Sequence, residues 1–142
     1  MASEHDLPLE EYHRAGREIT NGNPEAYKRL YSRRDDVTLA NPFGPPVRGW
    51  SEVSATLDRA AAVYRDGEVV GFDNVSTGIG SDLAYTVEVE SYRARVGGAD
   101  EIAAVTVRVT TIFRREEGTW RVVHRHADPI TAPRPPEFVI QP

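Results

Sequence analysis

Two histidines two positions apart, His124 and His126, with Asp128 just beyond them, are the strongest chemical candidates in the chain. An imidazole that titrates near neutrality can act as general base, general acid or hydrogen-bond donor to an anion. A neighbouring carboxylate can orient it, as a catalytic dyad requires. Residues two apart on a regular strand share a face, so both rings are expected on one side. That side is expected to be the inner one, with Trp120 and Val122, because Arg121 and Arg125 would be costly to bury unpaired. At least one ring is then expected near Tyr31, Trp50 or Asn41. A β-bulge would reverse the outcome, splitting the histidines or presenting Arg125 instead. Two histidines at this spacing can share a metal. The third ligand would have to be Asp128 or Glu88, and nothing in the spacing demands one, so neither metal nor cofactor is expected.

The element that carries the histidines is a long hairpin. Val105, Val107, Val109, Thr111 and Phe113 alternate with Thr106, Arg108, Thr110 and Ile112, a period of two rich in β-branched residues. Glu116, Glu117 and Gly118 form the turn, and the return strand runs from Trp120 to about Ala127. Before it, Leu83 to Val96 reads as a strand, with Tyr85, Val87 and Val89 opposite Thr86, Glu88 and Glu90. The two glutamates are expected on a wet or dimer-forming face. Val69 to Asn74 reads as a further strand, and turns fall at 78–81 and at Gly97-Gly98.

The first half reads as helical. Leu9, Tyr12, Gly16 and Ile19 recur at helical spacing over about residues 7–20, with Asp6 as a candidate cap. Asn21-Gly22 stops that helix and Asn23-Pro24 starts another, striped by Ala26, Tyr27, Leu30 and Tyr31. Val37 to Ala40 is a short strand, and residues 41–46 (NPFGPP) form a stiff loop. Ser51 caps a third helix marked by Val53, Leu57, Ala61 and Tyr64, ended by Asp66-Gly67. Helices segregated from an antiparallel meander imply an α+β fold.

The 142 residues suit one domain, taken as residues 1–128 with a proline-punctuated extended tail over 129–142. The apolar tail segment Phe138 to Ile140 is expected to dock on the body or on a partner. A net charge of −5 excludes a non-specific nucleic-acid binder. With no cysteines, there is no disulfide or thiolate site. No segment reads as a membrane span or secretory leader, so the default expectation is a cytoplasmic protein without membrane partners.

The order of elements, with NGNPEAYKRLYSRRDDVTLANPFGPPVRGW in the first half and IFRREEGTWRVVHRHAD in the second, resembles the nuclear-transport-factor-2-like superfamily. The likeness is greatest to its SnoaL-like, ketosteroid-isomerase-like bacterial members, and the closing phrase also resembles calcium/calmodulin-dependent kinase association domains. The resemblance implies a cystatin-like cone: a strongly bent antiparallel sheet wrapped on three N-terminal helices, with a pocket at the open end and a homodimer through the sheet's outer face. It also implies either a small-molecule-binding domain or a small isomerase, cyclase or lyase with a histidine acid/base. A homo-association module is a third option.

Three positions depart from the ketosteroid isomerase pattern. The place of the general base is Asn41, an amide with no basic lone pair. Ala15 stands at the place of the oxyanion tyrosine. The strand Ile102 to Phe113 lacks the second, acidic oxyanion donor. Steroid-type isomerisation is therefore not expected. Tyr27 and Tyr31 on one helical face, with Phe43 and Trp50 flanking the stiff loop, would suit a largely apolar ligand. Arg93 and Arg108 are candidate anchors for a carboxylate-bearing one.

Overall fold

The computed structural model describes residues 7–141. The candidate cap Asp6 lies outside them. Three helices come first: α1 (Leu9–Ile19), α2 (Glu25–Leu30) and, after two short strands, α3 (Trp50–Val63). The strands are β1 (Thr38–Ala40), β2 (Val47–Arg48), β3 (Tyr64–Ile79), β4 (Leu83–Val96), β5 (Ala103–Glu116) and β6 (Thr119–Asp128). They form one sheet in the order β2-β1-β6-β5-β4-β3.

Strands β3 to β6 are the expected antiparallel meander, but the sheet as a whole is mixed. β1 pairs with β6 in parallel, Thr38 beside His124 and Ala40 beside His126. The chain between those strands contains the long crossover that parallel pairing needs. Other boundaries also move. Gly49 (φ 91°), not Ser51, precedes α3. Tyr64 does not extend that helix but opens β3, whose three register shifts against β4 let a long strand bend. At α2, Asn23 Oδ1 accepts a hydrogen bond from the Glu25 amide at 3.0 Å, the capping role its type suggests.

The core sits between the helices and the inner face of the sheet. Tyr12, Ala15 and Ile19 of α1, Tyr27 and Leu30 of α2 and Val53 and Leu57 of α3 are buried there against Phe113, Trp120 and Val122. On β4 the expected facing is reversed. Ala84, Thr86, Glu88, Glu90, Tyr92 and Ala94 are the buried set, and Glu88 and Glu90 are only 2% and 3% exposed. In the tail, Pro136–Val139 makes a 3-10 turn, and Phe138, Val139 and Ile140 are exposed rather than seated on their own body.

Candidate functional site

The site is created by one extra residue in β6. Opposite β5, Ile112 pairs with His124 but Phe113 pairs with Val122, so Val123 is a bulge. Up to the bulge, Trp120 and Val122 point inward; past it, the alternation restarts with Arg125 and Ala127 inside. The expected inward facing of His124 and His126 is therefore overturned.

Arg125 lies under the helices with a partner that strand-by-strand reading cannot supply. Its Nη1 donates to Glu90 Oε2 at 3.1 Å and its Nη2 to Glu90 Oε1 at 3.2 Å. It also donates to the Tyr12 hydroxyl, which is hydrogen-bonded to Thr111. The guanidinium carbon lies 5.0 Å from the centre of the Tyr27 ring and 5.7 Å from that of Tyr12, within cation–π range. Burial alone would lower the Arg125 pKa, but Glu90 and the two tyrosines outweigh it and hold the group charged. Burial also pushes the Tyr12 hydroxyl up to about 12, against the opposing charge of Arg125.

A cavity of about 50 Å³ opens beside this ion pair, walled by Tyr27, Tyr64, Tyr92, Glu90 and Arg125 and closed by Asn41 and Phe43. Tyr92 donates a buried hydrogen bond to the Tyr64 hydroxyl at 2.9 Å. The Tyr27 hydroxyl is buried and has no hydrogen-bond partner among the described residues. Burial raises its pKa well above the ordinary tyrosine value, so at neutral pH it is a neutral O–H donor. At the mouth, Asn41 Oδ1 accepts from the Phe43 amide at 3.0 Å. That turn holds Phe43, half exposed, between the cavity and an outer groove of about 430 Å³.

A second polar group stands two residues along β4. His13 Nε2 is 2.8 Å from Glu88 Oε1, and Asn74 donates to Glu88 Oε2 at 3.2 Å. The His13 ring stacks on Phe72 at 4.2 Å and its side chain is 22% exposed. Burial favours the neutral Glu88 acid, but the hydrogen bond from His13 and its charge, with Asn74 and Arg125, hold the carboxyl below the ordinary range.

Of the residues singled out from sequence, Tyr27, Asn41 and Phe43 meet at the cavity. Tyr31 and Trp50 pack together elsewhere: Tyr31 donates to the Thr38 carbonyl at 2.9 Å, and Trp50 lies under the Arg33 guanidinium. His124, His126, Asp128 and Arg108 gather on the outer face. There His126 is 3.2 Å from Asp128, Asp128 is 2.7 Å from Arg108, and His124 Nδ1 is hydrogen-bonded to Thr38 Oγ1 at 2.7 Å. Arg93 is exposed on the same face as Arg108, so neither proposed carboxylate anchor reaches the cavity. His13 was missed, Arg125 was reached only through the β-bulge alternative, and Glu88 and Glu90 were placed on a wet or dimer-forming face. Their signal was the small or aromatic company of the two glutamates, with Ala84, Tyr92 and Ala94 in the same phase of β4.

This α+β cone is the architecture of the nuclear-transport-factor-2-like superfamily. The chain belongs to the SnoaL-like domain family, whose sequence model matches residues 9–132. Among solved structures it is similar to a nuclear transport factor 2-like superfamily protein from Salmonella enterica serovar Typhimurium, with a TM-score of 0.74 at 16% identity over 90% of this chain and 92% of that one. It is also similar to a ketosteroid isomerase-like protein from Erwinia carotovora atroseptica, with a TM-score of 0.72 at 14% identity over 87% and 92% of the two chains. A third likeness is to a protein of cystatin-like fold from Novosphingobium aromaticivorans, with a TM-score of 0.62 at 19% identity over 93% and 85%. At such identities the likeness is one of fold. No curated protein matches the chain.

Proposed function

We propose that the chain binds a small, largely apolar, uncharged molecule in the inner cavity, with one hydrogen-bond acceptor turned toward Tyr27. The observation that carries this reading is the buried Tyr27 hydroxyl without a partner. A buried donor left unsatisfied costs about 1–3 kcal/mol, which an acceptor on a ligand would recover. Because Glu90 already neutralises Arg125, a carboxylate ligand would have to displace a buried counter-charge. A ketone, ester or ether would not. The cavity admits only a few non-hydrogen atoms at about 50 Å³, so a larger ligand enters by moving Phe43 toward the outer groove.

The test compares cyclopentanone with cyclopentane by chemical-shift titration of the wild type and Tyr27→Phe. Cyclopentanone should bind the variant about tenfold more weakly, while cyclopentane should bind both alike. Equal weakening of the two ligands would sink the reading.

The His13–Glu88 pair favours a second reading, a small isomerase, cyclase or lyase. A carboxylate bound to one ring nitrogen leaves the other free to take a proton, and His13 Nδ1 has no hydrogen-bond partner among the described residues. Exchange of the α-protons of cyclopentanone in deuterated buffer, above the buffer rate and lost in His13→Gln, is the expected sign. Dimerisation through the outer sheet face is proposed on the exposed Leu83, Tyr85, Phe138, Val139 and Ile140.

A further inference from the structure

The end of the molecule away from Asn41 and Phe43 carries a groove of about 520 Å³ between α1, α2 and the β5–β6 turn. Among the described residues, four arginines line it, Arg14, Arg29, Arg115 and Arg121, with one carboxylate, that of Glu11. In a chain of net charge −5 this is a local inversion of sign. Arginine itself is no signal here, because Lys28 is the one lysine; its concentration in one concave surface is.

Two of these arginines, Arg29 and Arg121, are held open rather than neutralised. Arg121 donates to the Arg29 carbonyl at 3.0 Å. Neither Arg29 nor Arg121 has a carboxylate within ion-pair distance among the described residues. Arg14 reaches Glu18 at 3.4 Å, but its side chain is 60% exposed, a geometry worth little. Arg115 lies 4.6 Å from the centre of the Trp120 ring, stacked on the indole. Trp120 is 5% exposed and lines the same groove, and its Nε1–H is buried without an acceptor among the described residues. An indole N–H is a donor only. The Arg29 and Arg121 guanidiniums, the orphan Trp120 donor and the exposed Thr119 hydroxyl thus line one groove, and an acceptor-rich dianion would suit that set of donors.

We propose that this groove binds a phosphorylated small molecule, its phosphate oxygens taken by Arg29, Arg121 and the Trp120 N–H. The site is separate from the inner cavity and stands or falls independently of it.

The experiment is a titration of the isotope-labelled full chain with glycerol 3-phosphate, following the two indole N–H resonances, that of Trp120 being assigned by its loss in Trp120→Phe. The Trp120 resonance should shift and saturate, and uncharged glycerol should leave it unmoved. The double variant Arg29→Gln/Arg121→Gln should bind at least about tenfold more weakly. Arg93→Gln, on the outer sheet face, should bind as the wild type does. Absence of a saturable shift, an equal shift with glycerol, or an equal loss in Arg93→Gln would each overturn the proposal.

Discussion

Arg125 and Glu90 form a two-pronged ion pair, at 3.1 and 3.2 Å, between strands that are not neighbours in the sheet. β5 runs between β6 and β4, so the pair bridges over it on the inner face, above Thr111 and beneath Tyr12. Each charge is tolerable inside only because the other is there. Removing one should cost more than the pair is worth. Arg125→Met is expected to lower unfolding stability by about 3–5 kcal/mol by leaving Glu90 buried and unpaired. Arg125→Met with Glu90→Gln should recover much of that loss. Urea unfolding of the three variants checks it; a double variant no more stable than Arg125→Met would contradict the argument.

The Tyr27 hydroxyl gives the opposite expectation. A partnered buried hydroxyl loses stability when deleted, whereas an orphan costs stability while it is present. Tyr27→Phe should therefore unfold at the same urea concentration as the wild type or a higher one, despite removing a buried polar atom. A clear loss of stability would mean that the hydroxyl has a partner in solution, and the case for a ligand acceptor there would fall with it.

The order of helices, the hairpin, the stiff loop and the alternation of β5 were legible because each is a local pattern. The buried polar layer was not, and for one reason. Period-two reading treats a strand alone and assigns any charge to solvent, which put Glu88, Glu90 and Arg125 outside. Their burial depends on each other and on His13, with Arg125 and Glu90 35 residues apart in sequence and His13 and Glu88 75 apart. The bulge at Val123 has no residue signature of its own, yet this single insertion exchanges His124 for Arg125 at the inner face. Tyr27, Asn41 and Phe43 could be placed near one cavity because aromatic and turn chemistry mark a mouth without needing register.

The His13–Glu88 pair predicts a pH dependence. The Glu88 carboxyl is held below its ordinary 4.5 in the folded chain. The unfolded chain then binds more protons through the acid range, so stability is fully present above that ordinary value and is lost as pH falls through the folded one. In His13→Gln the loss of the imidazolium leaves burial, which favours the neutral acid, less opposed. The gain in stability between about pH 3 and pH 6 should shrink in the variant. Urea midpoints across that range for the two proteins measure the difference; identical slopes would show that His13 does not carry the coupling.

The outer histidines should act on the sheet rather than on the cavity. His124 holds the parallel β1 strand through Thr38 at 2.7 Å. Burial first, and then the neighbouring His126 charge, lower its pKa from the ordinary 6.5. A base whose folded pKa is depressed binds fewer protons folded than unfolded, so its stability contribution is present above 6.5 and fades as pH drops through the folded value. His126→Gln removes the second cause and should flatten that decline. His124→Ala should cost about 1 kcal/mol by releasing the Thr38 hydroxyl. Neither variant should change binding of cyclopentanone, because both rings lie across the sheet from Tyr27 and Arg125. If either substitution weakened that binding as much as Tyr27→Phe does, the bulge at Val123 would not be the feature that decides which side chain meets the ligand.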